Sequence, residues 1–117
     1  MGFGRFEDIE VWQKSKSLTT DLYATFADSK DFGFRDQIQR ASVSIMNNIA
    51  EGFERQTNKE FRQFLFIARG SCSEVKSMLY LALDLAKIEK YQCELLLSKT
   101  VEISKMLSGL IRAIQVV

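Results

Sequence analysis

No proline occurs anywhere in these 117 residues, and only six glycines do. Sandwiches and barrels change direction often, and their turns draw on both residue types. A chain so poor in them must turn rarely, which points to a few long helices joined by short connections. The length suits one domain, residues 1–117, built on a single core. A hydrophobic content of 46% with 26% charged residues belongs to a globular chain, not a disordered one.

Apolar residues recur at helical spacing in four stretches. The first runs from about Ile9 to Phe26, with Asp8 as its N-cap and Ile9, Trp12, Leu18, Leu22, Tyr23 and Phe26 on its apolar side, Val11 beside them. Trp12 reads as a core or interface anchor. Asp28 to Gly33 is a connection, with Phe32 and Phe34 expected to pin it onto the end of the bundle. The second helix spans from near Arg35 to about Glu54. Gly52, near its end, suits either a left-handed helix terminus or a point of close helix approach. The third opens on a capping box, Thr57 followed three residues later by Glu60, and continues to about Ile88. Its core stripe is Phe61, Phe64, Leu65, Ala68, Cys72, Val75, Leu79, Ala82, Leu83 and Ala86. Phe66, Ile67, Met78, Leu81 and Leu85 widen that stripe beyond one face, and a helix apolar on more than one face is buried on more than one side. In so short a chain, that excess hints at subunit contacts. Gly70, amid small residues in mid-helix, reads as a place where a neighbouring helix comes close. The fourth helix runs from about Tyr91 to Val116. The simplest architecture is an all-α, antiparallel up-down-up-down four-helix bundle.

One stretch of the second helix, Gln37 to Arg55, is unusual. Ile38, Ala41, Ile45 and Ile49 form its apolar stripe, and Arg40, Ser44, Asn47, Asn48 and Glu51 form a second, polar one. Ser and Asn are mediocre helix residues because their side chains compete for the backbone. A merely solvated stripe draws on Lys, Glu and Gln. These short hydrogen-bonding side chains are therefore candidates for contacts with another helix, another subunit or a ligand.

Catalytic chemistry finds little to work with. The chain has no His, which removes the commonest general base and the usual metal ligand. There is no phosphate-binding GxxxxGK[ST] loop and no GxSxG elbow. Cys72 and Cys93 have neither CxxC spacing nor a base partner, and read as buried or half-buried thiols. The expectation is a protein that is not an enzyme and has no cofactor and no metal. No apolar run reaches membrane-spanning length and Met1 to Phe6 is too short and polar for a signal peptide, so a cytoplasmic location is expected.

The net charge of +1 gives the whole molecule no strong pull on nucleic acid. Local clustering could supply one. Arg55, Lys59 and Arg62 gather across the second connection, with Arg69 further along the third helix. Repeated around a symmetry axis, such a cluster becomes a ring able to neutralise phosphates.

Two patterns carry a family likeness. Gln37-x-x-Arg40-Ala41-x-x-Ser44-Ile45-x-x-Asn48-Ile49-Ala50-Glu51-Gly52 is followed by Phe64-Leu65-x-Ile67-Ala68-Arg69-Gly70-Ser71-x-x-Glu74. Together with Val11-Trp12-Gln13-Lys14 and Lys105-Met106-Leu107-x-Gly109-Leu110, they resemble the four-helix bundle proteins encoded in intervening sequences of bacterial 23S ribosomal RNA genes, often labelled S23. Met46 departs from the pattern, since the family commonly carries Pro there. The resemblance implies a ring-like homo-oligomer, with a pentamer favoured. It also implies kinship with the accessory protein of diversity-generating retroelements, a barrel that binds a reverse transcriptase and nucleic acid.

The functional expectation is a non-catalytic, homo-oligomeric bundle that binds RNA, DNA or a nucleoprotein partner. Arg55, Lys59, Arg62 and Arg69 are its candidate phosphate contacts, and Arg40, Ser44, Asn47, Asn48 and Glu51 its candidate subunit or helix contacts. The alternative is a structural or protein-interaction module without nucleic-acid binding. A contiguous positive surface favours the first, and interleaved acidic and basic pairs favour the second.

Overall fold

The computed structural model describes residues 4–116. A short 3₁₀ turn, Phe6–Asp8, leads into α1 (Glu10–Thr25), α2 (Phe32–Phe53), α3 (Asn58–Asp84) and α4 (Lys90–Ala113). No strand occurs among the described residues. The helices form a rod about 47 Å long and 20–21 Å across. Each helix packs on its sequence neighbours and α4 closes on α1, so α1 and α3 lie on one diagonal and α2 and α4 on the other. Cross-contacts run antiparallel. Ser44 meets Ser71 between α2 and α3, and Arg69 meets Ser108 and Asn58 meets the Gln115 carbonyl between α3 and α4. The expected up-down-up-down bundle is the one observed.

Core residues come from each helix at three- and four-residue steps: Leu18 and Leu22, then Ile38, Ile45 and Ile49, then Leu65, Val75 and Leu79, then Ile103 and Leu107, all fully buried. Between them sit a few buried hydroxyls that bond back to their own helices. Ser15 donates to the Val11 carbonyl and Thr100 to that of Leu96, each at 2.7 Å. Burial without a lost hydrogen bond costs little.

Helix ends differ from the sequence expectations in physically informative ways. Asp8 does not cap α1. It lies in the 3₁₀ turn, and Ile9, buried in the core, takes the N-cap position without a side-chain bond. α2 starts at Phe32, three residues before Arg35, because Asp31 accepts from the Phe34 amide at 3.2 Å and caps the helix there. Gly33 is thus helical, and of the two aromatic residues beside it only Phe34 is buried. Phe32 stays exposed beneath the Arg35 guanidinium. Thr57 caps α3 as expected, accepting from the Glu60 amide at 3.1 Å.

α3 ends four residues short of Ile88. Ala86 adopts a left-handed φ of 56°, its amide bonds to the Leu83 carbonyl, and the Lys87 amide bonds to that of Ala82. That is a Schellman ending with alanine where glycine is usual. Ala86 is exposed, and Phe64 and Leu83 are only partly buried, so all three depart from the expected core stripe. α4 stops at Ala113, before Val116.

Gly52 resolves in favour of close approach. Among the described residues no glycine has a positive φ. A Cβ added at Gly52 would stand 2.6 Å from Phe64 Cβ and 3.1 Å from Phe61 Cδ1. Gly70 resolves the other way. Nothing lies within 4 Å of a Cβ placed there, so no helix of this chain approaches it.

Candidate nucleic-acid interface

Seven residues of α-helix turn through about 700°, only 20° short of two full turns. Residues seven apart therefore share a stripe. Arg62, Arg69 and Lys76 stand at this spacing along α3, and Lys105 and Arg112 do so on α4. Contacts between the two helices show where the stripes lie. Arg69 donates to Ser108 Oγ at 3.2 Å, and Lys76 and Lys105 line one cleft together. These contacts place Arg69, Lys76 and Lys105 along a groove between α3 and α4, and the seven-residue spacing extends the row to Arg62 and Arg112, five cations in all. From Arg62 to Lys76 the ladder is about 21 Å long at 1.5 Å per residue.

None of these five makes an ion pair among the described residues. The carboxylates that do form pairs hold cations elsewhere. Glu51 holds Arg55 at 2.9 Å, Asp31 holds Lys87 at 3.0 Å, Glu102 holds Lys14 at 2.8 Å and Asp21 holds Lys99 at 2.6 Å. An aromatic ring orders two of the groove arginines. The guanidinium carbons of Arg62 and Arg69 lie 5.8 and 4.9 Å from the centre of the Phe66 ring, within cation–π range. Among the described residues, Arg62 Nε is buried and finds no hydrogen-bond partner.

The four sequence-predicted phosphate contacts are therefore not one cluster. Arg62 and Arg69 share the groove. Arg55 lies in the connection, committed to Glu51 and stacked 4.8 Å from the Phe64 ring centre. Lys59 is exposed on the first turn of α3, on the side of the helix turned away from the core. Sequence reasoning missed Lys76, Lys105 and Arg112. The seven-residue spacing was there to be seen, but it acquires meaning only once α3 and α4 are known to be neighbours.

The polar stripe of α2 divides in two. Ser44 turns toward α3, and Asn48 bonds back to Ser44. Ser44 Oγ lies 2.9 Å from Ser71 Oγ, and Asn48 Nδ2 donates to the Ser44 carbonyl at 2.8 Å and to its hydroxyl at 3.0 Å. Ser44 is thus a helix contact, and Asn48 supports it from within α2. Arg40, Asn47 and Glu51 remain exposed on the outer side of α2. Beside them, the outer side of α3 exposes Phe66, Ile67, Leu81 and Leu85, each between 43% and 54% accessible. The residues expected to widen the core of α3 are, apart from buried Met78, an apolar surface in the single chain.

Neither thiol is placed for chemistry. Cys72 is buried, and burial pushes it up to about 12. Cys93 is also raised by its burial, and its thiol donates to the Leu79 carbonyl. Among the described residues no group of His, Cys, Asp and Glu side chains could hold a metal ion. No helix there is long and apolar enough to cross a membrane.

A family model described as the 23S rRNA-intervening sequence protein matches residues 7–109. A solved structure of a protein of unknown function from the S23 ribosomal protein family, from Bacteroides thetaiotaomicron VPI-5482, is similar with a TM-score of 0.81 at 28% identity. The similarity covers 86% of this chain and 97% of that one. No curated protein matches the chain.

Proposed function

The chain belongs to the 23S rRNA-intervening sequence protein family, and from that premise we propose that it is a non-catalytic, self-associating bundle that binds nucleic acid along the α3/α4 groove. The observation that carries this reading is the ladder of five cations without acidic partners, in a molecule whose other cations include several tied to carboxylates. An unpaired cation row on a rigid support suits a polyanion. The three cations on α3 recur about every 10.5 Å, near three 3.4 Å steps of a nucleic-acid strand.

Self-association is supported by the outer side of α3. Phe66 and Ile67, and further along Leu81 and Leu85, expose apolar area, Gly70 leaves room for a close neighbour, and α2 adds the exposed hydrogen-bonding groups of Arg40, Asn47 and Glu51. Large apolar side chains left in water on a helix face favour association. A closed ring, with five copies as the leading number, would repeat the cation ladder around its rim.

Binding of labelled RNA and single-stranded DNA at 50 to 300 mM salt tests the groove. With five phosphates neutralised per chain on a single strand, log K should fall with log salt at a slope of about −3.5. Arg62→Gln with Arg69→Gln should lower that slope by about 1.4, and Arg55→Gln should leave it nearly unchanged. A slope that responds to Arg55 but not to Arg62 and Arg69 rejects the groove. A wild type that ignores nucleic acid even at 50 mM salt leaves a protein-interaction module as the better reading.

A further inference from the structure

Midway along the ladder the groove deepens into a cleft of about 140 Å³. Cys72 and Thr100 form its floor, each only 1% exposed. Ser73 and Ser104 face each other from α3 and α4, and Lys76 and Lys105 stand at the rim. The floor hydroxyl of Thr100 already donates to its own helix. Ser73 and Ser104 make no side-chain hydrogen bond within the described protein, so two hydroxyls and two ammonium groups around this cleft have no protein partner.

Its lining differs in kind from that of the other clefts. Two clefts against α1 contain Asp21, a third between α1 and α4 contains Glu102, and a shallow depression on the outside of α4 contains Glu94 and Glu102. The α3/α4 cleft contains no carboxylate. Lys105 also borders the outer depression that holds Glu94 and Glu102, where Glu102 is held by Lys14 at 2.8 Å. The volume is well below the roughly 300–1,000 Å³ of pockets that enclose drug-sized ligands. It suits one tetrahedral oxyanion with its water, not a whole nucleotide.

We propose that this cleft, through Lys76, Lys105, Ser73 and Ser104, binds a dianionic phosphate monoester, the terminal phosphate of a nucleic-acid strand. Two ammonium charges balance a phosphate monoester, which carries about −1.5 to −2 at pH 7. A phosphodiester within a strand carries −1 and leaves one ammonium uncompensated. Lysine meets phosphate as a point charge, without the planar fork of arginine, and hydroxyls complete the shell of the remaining oxygens. The arginines further along the ladder then take the diesters that follow. For its strand this assignment rests on the groove reading given above. For its terminal phosphate it rests on the cleft alone.

The test compares two fluorescent single-stranded oligonucleotides, identical except for a 5′-phosphate or a 5′-hydroxyl, together with NMR titration of inorganic phosphate. The phosphorylated strand should bind at least fivefold tighter. Lys76→Gln with Lys105→Gln should bring that ratio to one. Ser104→Leu, which fills the cleft without changing charge, should do the same, with retention of the helical circular-dichroism spectrum showing that the variant folds. Arg62→Gln with Arg69→Gln should weaken both strands and preserve the ratio. Inorganic phosphate should shift the amide resonances of Ser73, Lys76, Ser104 and Lys105. Equal affinity for the two strands in a wild type that binds both overturns the cleft assignment and leaves the groove standing. Phosphate shifts at the cleft without strand binding keep the cleft and overturn the groove. No response to either ligand overturns both.

Discussion

α3 meets α2 and α4 in opposite ways. Against α2, Gly52 lets the backbones close until the root of Phe64 blocks any further side-chain atom. Ser44 and Ser71, both short, bond directly across the same seam. Against α4, long cations line the groove, only Arg69 reaches across to a hydroxyl, and an open cleft remains. One helix thus has a closed seam built from small residues and an open seam edged by large charged ones. The difference teaches that side-chain size and charge at a few positions set what two packed helices leave at the edge of their seam. Where long charged side chains line that edge, polar groups keep room to act on something else.

The largest expected effect strikes the closed seam. Gly52→Ala should destabilise the protein by about 2–3 kcal/mol, since the new methyl cannot be accommodated without moving α2 or α3. Urea unfolding measures it, and a loss below about 0.5 kcal/mol would mean that the seam is not closed in solution.

Gly70→Ala is the matching change where α3 faces no helix of this chain. It should stabilise the bundle by about 1 kcal/mol through helix propensity alone. If light scattering shows the same substitution reducing the oligomer, Gly70 is a contact between copies, and the contrast with Gly52 becomes one between an internal seam and an external one.

Ala86→Gly, at the end of α3 away from Gly52, should stabilise by about 1 kcal/mol, because a left-handed φ penalises every side chain bearing a Cβ. A thermal melt showing no gain would say that Lys87, which follows it and pairs with Asp31, already holds this end shut.

The smallest effect concerns that pair. The hydrogen bond from Lys87, and then the Phe34 amide, hold the Asp31 carboxyl below its ordinary value of 3.8. A carboxylate whose folded value is lowered stabilises above its unfolded value and loses that contribution as pH falls through the folded one. The melting temperature of wild type should therefore exceed that of Asp31→Asn by a small constant margin above about pH 5, and the margin should shrink below pH 4. A margin that grows in acid would reverse the sign and rule out the ion pair as its source.

Much of the architecture was legible in the chain. Missing proline, the helical period and the Thr57 capping box lead to four helices without any coordinates, because these effects act within a few residues of one another. Helix ends were less legible. The sequence offers Asp8 as a cap, yet it is Asp31, within the expected connection, that caps a helix, and burial of Ile9 in the core decides where α1 begins. In the polar stripe of α2, Ser44 bonds across the α3 seam and Asn48 bonds back to Ser44 within its own helix, a distinction that spacing alone does not make. Of the four predicted phosphate contacts, Arg62 and Arg69 stand together, while Arg55 is tied to a carboxylate one helical turn earlier in the chain.

By itself, the sequence determined the helices, their apolar stripes and the family, all of which rest on local spacing and ordered motifs. Tertiary structure alone decided that Gly52 is a closed seam and Gly70 an open surface, although both are glycines within helices. It alone brought Lys76 beside Lys105, 29 positions later, in a cleft whose lining holds no carboxylate. Helical periodicity places a residue on a face, but the charge and the space that the residue meets there come from whichever helix packs alongside.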